Sequence, residues 1–103
     1  MLIVAGSFTL DPADRDAFIR SRSDAMVKSR AERGCIEYTF SADPLVPGRV
    51  VLYERWEDAQ DLADHLTAMR AAAASAPSPS EPPVKVLSSE IARYEISSFG
   101  PLG

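Results

Sequence analysis

Apolar and polar positions alternate along four stretches of this chain and follow helical spacing along two others. In residues 2–9, Leu2, Val4 and Phe8 fall on one side and Ile3 and Ala5 on the other, which predicts a first strand with two apolar faces. Gly6 interrupts it and marks a bulge or a close backbone approach. Asp11-Pro12 is a helix start, because Asp11 can accept from free N–H groups and Pro12 fits the first helical position. The spacing of Phe18, Arg22, Ala25, Met26 and Ser29, with Ile19 and Val27 at the margins, predicts one helix from 12 to about 33. Gly34 ends it as a C-terminal cap. Residues 35–42 alternate, with Ile36, Tyr38 and Phe40 on one face and Cys35, Glu37 and Thr39 on the other. A turn-rich connection over 44–48 leads to a strand over 49–56. There Val50, Leu52, Glu54 and Trp56 oppose Val51, Tyr53 and Arg55.

Asp58 caps a second helix, and Asp61 adds negative charge in its first turn. Leu62, Leu66, Met69 and Ala73 make its apolar stripe, and the alanine run 71–74 extends it. Prolines at 77, 79, 82 and 83 exclude a continuous helix, so 76–83 reads as a surface loop, placed to act as a lid. Residues 84–98 supply the last strand, most clearly 90–96. The order is βαββαβ, the α+β ferredoxin-like pattern: an antiparallel sheet with two helices on one face. The other face carries Ile3, Val51 and Tyr53. An uncovered apolar face predicts a homodimer packed sheet to sheet.

Composition narrows the function. The 103 residues make a single domain, 1–103, too short for two cores. The net charge is −4, and Arg15, Arg20 and Arg22 alternate with Asp14, Asp16 and Asp24, so no basic stripe forms and nucleic acid is not an expected partner. No segment has the length and apolarity of a membrane span, and no signal peptide is evident. A single cysteine, Cys35, precludes an intrachain disulfide, which fits a reduced, cytoplasmic protein.

Candidate chemistry concentrates in residues 50–66. Trp56 and His65 are the only tryptophan and the only histidine, nine positions apart across a strand-to-helix turn. His65 lies on the same helix face as Leu62 and Met69, so it looks toward the sheet, where an imidazole can move a proton near neutral pH. The bland alternative is a core-edge histidine bonded to a backbone carbonyl. Glu54 shares the inner face with Leu52 and Trp56. Burial there would raise its pKa and suit it to proton transfer; a salt bridge to an arginine such as Arg93, or a register shifted by one, would account for it otherwise. Trp56, Tyr38 and Phe40 offer aromatic walls or serve as core. Cys35 has no metal-ligand spacing with His65 and reads as a structural thiol. No phosphate loop, dinucleotide fingerprint or nucleophile elbow is present, so no cofactor is expected.

The segments GCIEYTF (34–40) and LYERWEDAQDLADHL (52–66), after a short strand and an acidic-capped helix, resemble the antibiotic biosynthesis monooxygenase (ABM) domain family across nearly the whole chain. The resemblance implies a dimeric α+β barrel with one pocket per subunit. It implies oxidation of a quinol, anthrone or polyketide-type phenol by O2 without metal or flavin. On that reading His65 and Glu54 are catalytic, and Trp56, Tyr38, Phe40, Leu62 and Met69 bind the ring. Related haem-degrading proteins use an asparagine, which this sequence lacks. A non-catalytic dimeric ligand-binding module and an isomerase of the same fold are the remaining alternatives.

Overall fold

In the computed structural model, which describes residues 1–75 and 84–103, four strands form one antiparallel sheet in the order β2-β3-β1-β4. The strands are β1 (Leu2–Leu10), β2 (Cys35–Ala42), β3 (Arg49–Trp56) and β4 (Val86–Glu95). With helices α1 (Arg15–Ser21), α2 (Ser23–Arg30) and α3 (Ala59–Ser75), this is the expected ferredoxin-like α+β arrangement. The proline-rich 76–83 stretch, and with it the lid expectation, lies outside the described residues. Among the described residues no helix is long and apolar enough to cross a membrane.

β3 sits in the middle of the sheet and obeys the two-residue period along its whole length. Val50, Leu52, Glu54 and Trp56 are buried; the residues between them are half-exposed. Its register with β1 pairs Val4 with Glu54 and Gly6 with Leu52. Gly6 is a close-approach position: a Cβ there would run into the backbone of Glu90 and Ile91 on β4. The helix-covered face holds a core of Leu2, Leu10, Phe18, Tyr38, Phe40, Val50, Leu52, Trp56 and Leu62. Burying a side chain such as Leu10 stabilises the fold by about 1.5–3 kcal/mol.

Two local features differ from the pattern reading. The predicted 12–33 helix is three pieces. Asp11 accepts from the Ala13 N–H at 2.9 Å as expected, but it opens a 3-10 turn over Pro12–Asp14. A second break falls at Arg22 (φ −94°, ψ −2°), between α1 and α2. Ser21 lies beside it and donates its hydroxyl to the Phe18 carbonyl at 2.6 Å; serines compete for backbone bonds in this way and weaken helix interiors. In β2, the pairing with β3 shifts between Cys35 and Glu37. This bulge at Ile36 pairs Cys35 with Trp56 and packs it against the core, not beside Glu37 and Thr39 on the other face.

α3 starts where expected: the Asp61 N–H donates to the Asp58 carboxylate at 3.0 Å. Its stripe is buried only at first. Leu62 and His65 are buried, whereas Leu66 is 37% and Met69 49% exposed. The second half of α3 therefore stands off the sheet and roofs an open space.

Candidate functional site

His65 is held from two sides. The α3 register points its ring inward, where it is 1% exposed and lies 4.7 Å, centroid to centroid, from the Trp56 indole and 5.3 Å from the Tyr38 ring. Its Nδ1 is 2.7 Å from a Glu32 carboxylate oxygen. A carboxylate accepts, so Nδ1 donates, and in the neutral ring Nε2 carries the lone pair. Nε2 is buried and has no hydrogen-bond partner among the described residues; its nearest acidic neighbour is Glu54 Oε1 at 3.9 Å, beyond hydrogen-bond reach.

Glu54 is buried on the inner face of β3, where it accepts a hydrogen bond from the Trp56 indole N–H at 3.0 Å. Burial raises its pKa above the usual carboxylate range, against smaller lowering effects from the Trp56 bond and the His65 charge. The Arg93 pairing weighed from the sequence is not made: Arg93 contacts Glu95 at 3.6 Å instead. The Tyr38 phenol is pushed up to about 12, mainly by burial and then by Glu54, with Ser29 and Arg22 acting in the opposite direction. Burial, with Glu32 and Glu54, also raises the Cys35 thiol, which keeps it protonated and inert.

Beneath α3 lies a cavity of about 320 Å³. His65, Glu54, Tyr38, Phe40 and Met69 line it, together with Arg22, Phe8, Leu52 and other apolar side chains. Trp56 and Leu62 do not reach its wall; both are buried behind it, Trp56 against His65 and Leu62 in the core. Five of the seven site residues named from the sequence therefore meet at one cavity, and the other two support it. Among the described residues no group of three His, Cys, Asp or Glu side chains is placed to hold a metal ion.

Glu32 escaped the sequence reading. It lies 33 positions before His65, in the turn after α2, and no local spacing connects the two. Gly34 brings them together. Its left-handed backbone (φ +77°) reverses the chain, and a Cβ there would collide with the Asp61 carboxylate at the start of α3. A carboxylate just before a helix-ending glycine was the available signal.

Solved structures share the fold along most of their length. A candidate antibiotic biosynthesis monooxygenase from Deinococcus radiodurans superposes with a TM-score of 0.68, at 21% identity over 100% of both chains. Protein SO0527 from Shewanella oneidensis gives 0.70 at 20% identity, over 90% of this chain and 87% of that one. By sequence, 64 residues are 30% identical to the uncharacterized protein sll1783 of Synechocystis sp., covering 62% of this chain and 44% of that protein's length. Residues 1–76, which carry β1 to β3, all three helices and every cavity residue named above, match the family profile described as antibiotic biosynthesis monooxygenase; the chain belongs to that ABM family.

Proposed function

We propose that this protein is a cofactor-independent monooxygenase acting on a hydroxylated aromatic, quinol or polyketide-type substrate. The observation that carries this reading is Nε2 of His65, without a hydrogen-bond partner among the described residues and buried at the wall of a mostly apolar cavity, while Nδ1 is fixed by Glu32. A base held in one tautomer, with no competing partner, is suited to take a proton from a phenol. The aromatic and aliphatic walls bind the flat ring and keep water from the resulting phenolate. The phenolate reduces O2. One oxygen atom bonds to the ring carbon and the other leaves as water, so a phenol with a free para carbon becomes the quinone (ArH–OH + O2 giving the quinone + H2O). Glu54, raised by burial, supplies or receives the proton that accompanies oxygen reduction. Trp56 acts from behind, by orienting Glu54 and backing His65.

A second copy completes the molecule. The sheet face away from the helices brings together Ile3, Ala5, Tyr53, Ala92 and Tyr94 through the β1 register with β3 and β4, and Tyr94 is 54% exposed. A homodimer packed through this face covers them.

The test is oxygen uptake with naphthohydroquinones, anthrones and catechols. Uptake above autoxidation is expected, falling about 100-fold or more in His65→Gln, the range of a lost general base. Glu32→Gln, which keeps an acceptor but loses the charge that orients the imidazole, should give an intermediate loss and a displaced pH–rate profile. Uptake unaffected by His65→Gln would remove the base assignment. Tight binding with no conversion would favour the ligand-binding module instead, and conversion without oxygen consumption the isomerase.

A further inference from the structure

Arg22, at the break between α1 and α2, lies on the helical stripe with Phe18, Ala25 and Met26, and it is the one cationic side chain among the described residues that line the cavity. Its guanidinium lies 4.7 Å from the Phe18 ring centroid, and no carboxylate among the described residues pairs with it. Arg22 also lines the adjoining groove between α2 and α3, so it stands where the two spaces meet. Its charge reaches the Tyr38 phenol, as does that of Glu54, so the cavity holds a cation and the His65–Glu54 pair on one shared wall of residues.

Resting on the reading of this cavity as the substrate site, we propose that its ligand is an aromatic hydroxy acid: a carboxylate held by Arg22, where the cavity meets the adjoining groove, and a phenolic hydroxyl delivered to His65. A planar guanidinium stacked on an aromatic ring presents its N–H fork to a carboxylate, and such charge-assisted pairs are stronger than neutral hydrogen bonds. A space of about 320 Å³ suits a one- or two-ring ligand. The two polar ends fix which way round the ring enters. Arg22 is thus a specificity-determining residue, separate from the proton chemistry.

The experiment is calorimetric titration, without turnover, using 6-hydroxy-2-naphthoate and 2-naphthol, which differ only in the carboxylate. The full chain should bind the acid about ten-fold tighter or more, the range of a charge-assisted bond. Arg22→Gln should abolish that preference, weakening the acid far more than 2-naphthol, and Arg22→Lys should retain part of it. Added salt should shrink the preference in the wild-type chain, a readout that needs no variant. Equal binding of the two probes, a preference that survives Arg22→Gln, or no binding of either would overturn the proposal. Because no oxidation is read, a failed oxygenase assay and a failed binding preference remain distinguishable.

Discussion

Glu54 is a carboxylate with 8% of its side chain exposed, held by a single indole N–H. Its pKa is raised in the folded state, so the folded chain holds this proton more tightly than the unfolded chain does. The stability it contributes is complete below its ordinary pKa and is lost as pH rises through the raised value. Glu54→Gln removes the charge and keeps an oxygen for the Trp56 N–H. Thermal melts should therefore show the variant more stable than wild type at neutral pH, with the difference vanishing toward about pH 4, near the ordinary carboxylate pKa. A variant that is less stable at neutral pH would show that the ionised carboxylate is well compensated. The oddity of Glu54 was legible in the sequence, since the alternation of β3 placed it inward. Its partner was not: Trp56 is two positions away on the same face, whereas the Arg93 considered first lies on β4, two strands from β3 and beyond β1.

At the scale of elements, strands were easier to read than helices. A period of two tolerates no ambiguity in β3, and both faces came out as read. In β2 a single bulge at Ile36 moved Cys35 across the sheet, and nothing in the residue types announces it. The break at Arg22 was not legible, because stripe spacing continues through a one-residue break while hydrogen bonding does not. Gly34 was read as a helix cap, but it has a second task in packing against Asp61, which is itself buried. Gly34→Ala should destabilise the protein by more than the roughly 1–2 kcal/mol of a left-handed non-glycine residue. In an Asp61→Ala background the excess should fall, as a double-mutant cycle by urea denaturation would report. Additive effects would mean that the conformational strain alone matters.

For the whole molecule, β4 is exposed at every one of its positions, an unusual state for a paired edge strand rich in Val, Leu, Ile and Tyr. The proposed dimer covers its outer-face residues. Sedimentation at micromolar concentration should give twice the chain mass, and Tyr53→Asp, which places a charge at the centre of the outer face opposite Ala5, should shift the protein toward monomer. A monomeric wild-type chain would leave that face unexplained and contradict the assembly.

The order of strands and helices, the inward face of β3 and the inward positions of His65, Glu54 and Tyr38 on their own elements were determined by the sequence itself, because periodicity and capping are local properties that a strand or helix turn imposes within a few residues. Tertiary structure decided the rest. Glu32 meets His65 across 33 residues of chain, Trp56 lies behind the cavity instead of in its wall, and Arg22 stands where the cavity meets the adjoining groove. Each depends on how separate elements pack: on the Gly34 reversal, on how α3 lies over β3, and on how α1 and α2 lie against β2. No spacing within one element records those relations.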